Sequence, residues 1–160
     1  MVIYKILFQT MVIFESTSLN FYSAHFCFTD GIFVKEVPHD PEYYFHGEEI
    51  SISVRSFTWG YDLFHLHKVV MWHYYTRKGL KKHWDDDKKW GIKNSKSHSK
   101  NRKLFSMDGE VYDREEFGIY GFGNDRTLDD YERYSGISFS KRAIQQYTKD
   151  RNNPPNPIYD

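Results

Sequence analysis

The sequence lacks most of the features that identify a protein class directly. It has one cysteine, Cys27, so no disulfide can form within the chain, which fits either a reducing compartment or indifference to redox conditions. We expect a cytoplasmic location. Its 22 Lys and Arg residues balance 22 Asp and Glu residues, so the chain lacks the excess positive charge that is typical of a general nucleic-acid binder. No P-loop, GxGxxG or GxSxG motif occurs. General nucleic-acid binders and the motif-defined nucleotide-binding or hydrolase classes are therefore not indicated.

A long apolar run is also missing. The most apolar stretch, residues 1–14, is interrupted by Lys5, Gln9 and Thr10, and it is shorter than the roughly 20 residues that a membrane span needs. It has neither the basic start nor the small-residue cleavage site of a secretory signal. We therefore expect no membrane span, and we interpret this stretch as a short strand or an atypical chain start.

Aromatic residues, by contrast, are abundant. They make up 19% of the 160 residues, with 13 Tyr and 13 Phe, and a disordered chain would contain few of them. A chain of this length is expected to form one domain with a sizeable core. We assign that domain to residues 1–148 and interpret residues 149–160, which contain three prolines, as a polar tail.

Residues 48–59 are compatible with two secondary structures. Ile50, Ile52 and Val54 alternate as in a strand, but the apolar positions also fit one face of a helix. The two acids at the start and Gly60 just past the end favour the helix.

The remaining elements follow from local signals. These signals predict strands over 21–28 and 68–75, a charged excursion or solvated helix over 81–103, a helix from an N-cap at Thr127 to Gly136, and a last helix over 140–147. The fold class is therefore mixed α/β.

The clustering of the histidines is compatible with a metal site. Six of the eight histidines lie between His39 and His83, and imidazole and carboxylate are common ligands of divalent ions. His73 is the best candidate, because it ends an apolar predicted strand. The alternative is that these histidines are simply frequent and partly exposed. Residues 85–87, three aspartates, contain an Asp-x-Asp pattern, but among neighbouring lysines they more often form a solvated face.

A pair of carboxylates, Glu48 and Glu49, follows Gly47 at the predicted helix start. Two carboxylates at the edge of a cleft can accept hydrogen bonds from sugar hydroxyls. The alternative is that they are only the acids that favour a helix N-terminus.

Four ordered motifs between about Ser23 and Arg142 resemble a glycosyltransferase family that includes the cytoplasmic hydroxyproline polypeptide N-acetylglucosaminyltransferases. They are Glu-Val-Pro-His-Asp-Pro at 36–41, Gly-Glu-Glu-Ile through Trp-Gly-Tyr-Asp at 47–62, the run ending in His and Arg at 69–77, and Gly-Phe-Gly through Arg-Thr-Leu and Tyr-Glu at 121–132. Residues 45–55 are also similar to the Trp-Gly-Gly-Glu-Asn motif of the mucin-type transferases, with Phe45 at the Trp position, Glu48 at the Glu and Arg55 at the motif's Arg.

The resemblance implies a fold, a reaction and a set of site residues. The implied fold is a partial GT-A (Rossmann-like) domain with a helical C-terminal extension. The implied reaction is metal-dependent, retaining transfer of a sugar, such as N-acetylglucosamine, from a UDP-sugar to a protein or glycan hydroxyl. By resemblance the catalytic residues are Glu48 and Glu49, the donor- or acceptor-binding residues are Gly47, Trp59, Trp72 and Arg77, and the ligand for Mn²⁺ or Mg²⁺ is His73.

One departure from the family pattern leaves the function open. In these families the nucleotide-binding half lies upstream of the Glu-Val-Pro stretch, and only about twenty residues precede Ser23 here. The chain is thus expected to be the C-terminal portion of a transferase, completed by a separate N-terminal half or by self-association. The alternatives are an inactive remnant or a non-catalytic carbohydrate-binding or regulatory module.

Overall fold

A mixed sheet and one central helix organise the chain. The computed structural model describes residues 5–9, 17–65, 72 and 78–150. The elements in chain order are strands β1 (Lys5–Gln9), β2 (Thr17–Ser18) and β3 (Phe28–Thr29), helices α1 (Phe33–Glu36) and α2 (Glu48–Thr58), strand β4 (Tyr61–His65), helices α3 (His83–Asp86), α4 (Trp90–Leu104), α5 (Arg114–Phe117) and α6 (Leu128–Ser135), strands β5 (Ile137–Ser138) and β6 (Ala143–Ile144), and helix α7 (Gln146–Lys149).

The larger sheet has the strand order β2-β4-β1-β3. Its two longest strands are parallel, with Lys5 opposite Tyr61 and Gln9 opposite His65, while β2 and β3 pair antiparallel at the two edges. Because parallel strands need a crossover connection, the chain between β1 and β4 includes a helix, α2. Of the two interpretations of the first 14 residues, a short strand or an atypical chain start, β1 agrees with the strand.

Helix α2 is buried along most of its length. The predicted helix at this position is confirmed, and no residue of α2 pairs in a sheet. Its side chains pack in two apolar clusters. Val54 and Phe57 pack in one, with Leu104 at the end of α4 and aromatic residues of α5 and α6, and Ile52 packs in the other, with Tyr61 and Leu63 of β4. The helix therefore joins the sheet to the C-terminal helices.

Helix α6 has the predicted ends. The Thr127 hydroxyl accepts a hydrogen bond from the Asp130 backbone N–H, and the Asp130 carboxylate accepts one from the Thr127 N–H. Gly136 ends the helix with a φ of 70°, a conformation that glycine adopts without strain.

The last predicted helix, 140–147, is wrong. Residues 143–144 form β6 and pair with β5, and only residues 146–149 form a helix. Arg142 has a φ of 50°, which a right-handed helix does not allow, and its guanidinium binds Asp108 with an N–O distance of 2.6 Å. A long-range ion pair and a turn thus replace the expected helix.

The strand predicted over 21–28 is also wrong except at its last residue. The Tyr22 backbone N–H donates to the Ser53 hydroxyl, and the Ala24 N–H donates to the Glu49 carboxylate, so side chains of α2 satisfy this segment instead of a neighbouring strand. The strand predicted over 68–75 lies outside the described residues, apart from Trp72.

The charged segment 81–103 forms α3 and most of α4, as the solvated-helix interpretation predicted. Its three aspartates bind lysines: Asp85 accepts from the Lys82 backbone N–H, Asp86 pairs with Lys81, and Asp87 pairs with Lys93. Across the ranges given above, no helix combines the length and the apolar character needed to cross a bilayer.

Candidate functional site

A cleft of about 840 Å³ lies at the N-terminal end of α2. Its volume is near the upper end of the range for small-molecule sites. Residues from three segments line it: Ala24, His25, Phe45, His46, Glu48, Glu49, Lys78, Lys82, His83 and Trp84. The two carboxylates that the sequence singled out are therefore both at this cleft.

Gly47 places the start of α2 beside α4. Its φ of 90° favours glycine, and a Cβ at this position would lie 2.5 Å from the Asn101 Nδ2. The Asn101 amide donates a 3.0 Å hydrogen bond to the Gly47 carbonyl. The predicted donor-binding residue Gly47 thus holds the backbone in position, and its neighbours Glu48 and Glu49 line the cleft.

The two carboxylates have different surroundings. Glu49 is exposed, and its Oε1 accepts a 2.8 Å hydrogen bond from the Ala24 N–H, which fixes the loop that borders the cleft. Glu48 is half-buried, and within the described ranges its carboxylate has no hydrogen-bond or ion-pair partner. Of the pair, Glu49 is thus tied to the neighbouring loop, and Glu48 is the carboxylate without a bond to the described residues.

A polar stripe on α4 anchors the loop that leads into α2. The Tyr43 hydroxyl donates to the Asn101 Oδ1 at 2.6 Å, the Tyr44 N–H donates to the Ser97 hydroxyl at 2.7 Å, and the His46 ring lies 2.9 Å from the Asn94 Oδ1. Burial raises the pKa of Tyr43 to about 12, so its hydroxyl keeps the proton that it donates.

Three aromatic rings form one wall of the cleft. The centroids of Phe45 and His83 are 4.5 Å apart, as are those of His83 and Trp84, and Phe45 and Trp84 are 5.8 Å apart. The Lys82 Nζ lies 5.2 Å from the Trp84 ring centroid, within cation–π range. We call Phe45, His83 and Trp84 the aromatic wall.

The other end of α2 carries Trp59, which does not line the larger cleft. The 11-residue helix separates it from Glu48 by about 16 Å along the axis. Trp59 is half-buried and packs against the second apolar cluster, near Cys27. The structure therefore does not bring Trp59 together with the paired carboxylates.

The C-terminal Gly-Phe-Gly block closes this end of α2. The Gly123 N–H donates to the Thr58 hydroxyl at 2.9 Å, and the N–H groups of Asp125 and Arg126 donate to the Thr58 carbonyl at 3.0 and 3.2 Å. A Cβ on Gly123 would lie 2.4 Å from the Thr58 carbonyl oxygen. This motif is therefore a backbone packing contact. A second, smaller cleft of about 410 Å³, lined in part by Gly123, Arg126 and Thr127, lies beside it.

Of the other predicted site residues, only Trp72 is among the described ones, and it does not line the cleft. Trp72 is 85% exposed, and His73 and Arg77 lie outside the described residues. In the described ranges no group of three His, Cys, Asp or Glu side chains could hold a metal ion. Of the clustered histidines, His46 and His83 line the cleft, together with His25, which lies outside that cluster.

One buried cation lies in the middle of the scaffold. Arg55 on α2 is fully buried, and its Nη2 donates to the Ile119 carbonyl at 3.3 Å. Its Nε and Nη1 are buried without a hydrogen-bond partner in the described part of the chain. Burial lowers the Arg55 pKa, and the charge of Asp40 opposes that shift.

Sequence reasoning missed the residues that hold the cleft loop. Asn94, Ser97 and Asn101 lie in a run dominated by lysine and serine, which indicates only solvation. Their i, i+3, i+7 spacing puts them on one helix face, and this spacing was the available signal. The resemblance places Phe45 at the Trp position of a motif, and His83 belongs to the histidine cluster, but their contact joins distant segments and had no comparable signal.

One of three comparisons with known proteins identifies a family. The family model described as Glycosyltransferase (GlcNAc) matches residues 6–141. The searches of curated proteins and of solved structures gave no match. The matched range contains the cleft, the aromatic wall and the Gly-Phe-Gly block.

Proposed function

Because the chain belongs to the glycosyltransferase (GlcNAc) family, we propose that it takes part in transferring a sugar from a UDP-sugar to a hydroxyl of a protein or glycan. N-acetylglucosamine is the proposed sugar. The resemblance to the hydroxyproline-modifying enzymes supports a protein hydroxyl as one acceptor. The same resemblance supports a GT-A type of fold, transfer with retention and a cytoplasmic location, which we include in the proposal.

The observation that carries the proposal is the Glu48 carboxylate. It is half-buried at a cleft of about 840 Å³ and has no partner among the described residues. A carboxylate accepts hydrogen bonds only, and sugar hydroxyls are donors at fixed spacing, so Glu48 is suited to orient a sugar ring. Glu49 fixes the neighbouring loop through Ala24 and supports that geometry.

A divalent metal is part of the proposal through the resemblance. Mn²⁺ or Mg²⁺ would offset the charge that develops on the leaving diphosphate. His73 is the proposed ligand, and the described residues add no group of three ligands to it. The remaining ligands would come from a separate N-terminal half or from a second copy of the chain.

A second candidate function is a carbohydrate-binding module without catalysis. The aromatic wall favours it, because exposed rings beside hydrogen-bonding groups can hold a sugar ring without any group that reacts. The two functions share the cleft and differ in whether UDP is released.

Release of UDP from UDP-N-acetylglucosamine tests the proposal. We expect the chain with Mn²⁺, together with its N-terminal half if one is found, to release UDP, and Glu48→Gln to reduce that rate at least tenfold. Glu115→Gln is the matched control, since Glu115 and Glu116 are also paired acids in the first turn of a helix. Equal rates of UDP release by the two variants would contradict the proposed transfer. So would the absence of UDP release when the chain is assayed together with its N-terminal half.

A further inference from the structure

We propose that the aromatic wall, Phe45, His83 and Trp84, is a stacking platform for a pyranose ring in the same cleft as Glu48. The proposal rests on the proposed function for the identity of the sugar, and it assigns the part of the cleft that holds the ring's apolar face. The ring belongs either to the donor sugar or to a glycan acceptor.

The backbone of Phe45 is the first observation. Its φ is 59°, a left-handed conformation that is unfavourable for a bulky residue, and yet its side chain is 52% exposed. Burial of the ring therefore does not explain why a phenylalanine is placed there. Strain held at an exposed aromatic residue points to a binding role.

The arrangement of the rings is the second observation. Trp84 is 36% exposed and Phe45 52%, so both present area to the cleft while each contacts His83 at a centroid distance of 4.5 Å. The three rings come from two segments, 45 and 83–84. The Gly47–Asn101 contact and the other anchors on α4 hold the loop that carries Phe45, and the His83 ring packs against Tyr44 and Phe45 of that loop. The Phe45 side of the platform is therefore held in place by the protein.

The charges at the cleft decide the kind of ligand. Two carboxylates, Glu48 and Glu49, and two ammonium groups, Lys78 and Lys82, line it, so neither sign of charge dominates. A polyanion would meet the carboxylates, and an apolar peptide would desolvate all four groups. A neutral ring with one apolar face and hydroxyls at its edge satisfies both the aromatic wall and the carboxylate of Glu48.

Binding measured without turnover tests the platform. Calorimetric titration would use three ligands: a soluble trimer of β-1,4-linked N-acetylglucosamine, UDP-N-acetylglucosamine, and UDP. We expect Trp84→Ala to weaken at least one of the two sugar-containing ligands about tenfold and to leave UDP unchanged. Weaker binding of the trimer by Trp84→Ala would assign the platform to an acceptor glycan. Weaker binding of UDP-N-acetylglucosamine alone would assign it to the donor sugar.

Three further variants keep the test interpretable. Trp90→Ala is the matched control, because Trp90 is 41% exposed at the start of α4 and does not line the cleft, so it should bind like the unmodified chain. Trp84→Phe should restore most of the affinity. Phe45→Gly relieves the left-handed conformation and should melt within about 3 °C of the unmodified chain while binding sugar more weakly.

Other results would overturn the platform. If Trp84→Ala weakened the binding of UDP and of UDP-N-acetylglucosamine equally, the uracil and not the sugar would lie on the aromatic wall. If Trp84→Ala and Trp90→Ala lost the same sugar affinity, the effect would not be specific to the cleft. Absence of sugar binding by the unmodified chain would also overturn the proposal. A chain that binds the trimer through Trp84 but releases no UDP would instead contradict only the proposed transfer.

Discussion

The two ends of α2 use similar residues for different purposes. At the N-terminal end, Gly47 and Glu48 border an open cleft. At the C-terminal end, Thr58 and Gly60 are covered by the Gly-Phe-Gly block, with Gly123 in backbone contact and Asp125 against Gly60. Both glycines flanking the helix have positive φ, 90° and 83°, so glycine itself does not distinguish a site from a scaffold.

The hydrogen-bond partners make the distinction. The hydroxyl and carbonyl of Thr58 are used within the protein, by donors that lie 65 to 68 residues later in the sequence. The Glu48 carboxylate has no partner within the described ranges. One set of family motifs therefore contains both a structural clamp and the carboxylate that we propose binds the sugar, and variants at the two ends should separate stability from binding.

The largest expected effect is at the closed end. Gly123→Ala should lower the free energy of unfolding by about 3 kcal/mol or more, because its Cβ would overlap the Thr58 backbone, which cannot move aside cheaply. Urea unfolding measures it. Gly91→Ala is the control: a Cβ there meets nothing within 4 Å, and alanine favours the helix, so stability should hold or rise. Equal stability of the two variants would mean that the clamp is absent.

Variants of Arg55 test whether the stability of the buried helix α2 depends on the charge or on the volume of this side chain. Arg55→Ala should cost about 2.5 kcal/mol through the cavity it leaves. Arg55→Met keeps most of the volume and removes a buried cation, two of whose nitrogens have no hydrogen-bond partner in the described ranges, so its stability should stay within about 1 kcal/mol of that of the unmodified chain. Chemical unfolding of both variants distinguishes the two explanations. Equal losses would show that the charge is required.

Thr58→Val isolates the hydroxyl of the clamp. It keeps the shape of the side chain but leaves the buried Gly123 N–H without an acceptor, which should cost about 1.5 kcal/mol. Ser95→Ala is a suitable comparison, since the Ser95 hydroxyl makes an exposed bond to its own helix and its loss should change stability by less than about 0.5 kcal/mol. A smaller effect for Thr58→Val than for Ser95→Ala would contradict this assignment.

At the open end the expected effects on stability are smaller. Glu49→Ala should cost about 0.5 kcal/mol, because it removes one exposed hydrogen bond to the Ala24 N–H. Glu49→Gln keeps an acceptor and should recover that loss. Thermal unfolding, read together with sugar affinity, measures both. If Glu49→Gln were as unstable as Glu49→Ala, the charge and not the bond would hold the loop.

Glu48→Gln should have the smallest effect on stability and a large effect on binding. Since Glu48 has no partner to lose among the described residues, the free energy of unfolding should change by less than about 0.5 kcal/mol. A drop in stability comparable to that of Thr58→Val would show that Glu48 belongs to the scaffold and would remove the contrast between the two ends.

Local signals were enough to predict α2, α6 and the mixed α/β class. Acids at a helix start, a capping box at Thr127 and stop glycines at 60 and 136 act within a few residues of one another. The signals failed where a distant partner decides the structure. Residues 21–27 donate to Ser53 and Glu49 on α2 instead of pairing as a strand, and the Arg142–Asp108 ion pair accompanies a turn in place of a helix.

The residues of the candidate site also fall into two groups: those that local signals predict and those that contacts between distant segments place there. The paired carboxylates could be found from the sequence, because they are adjacent and follow a glycine. The aromatic wall joins Phe45 to residues 38 and 39 positions later, and the loop that carries Phe45 is held by Asn94, Ser97 and Asn101 on α4. No local pattern encodes such a contact.

One measurement tests most directly whether the open end of α2 is the sugar site. It is the mapping of amide chemical-shift changes in the ¹⁵N-labelled chain during titration with UDP-N-acetylglucosamine. We predict that the shifts cluster at residues 24–25, 45–49 and 82–84, around the larger cleft. Shifts confined to residues 106–128, beside the smaller cleft at the closed end, would contradict the account and would transfer the site to the Gly-Phe-Gly block.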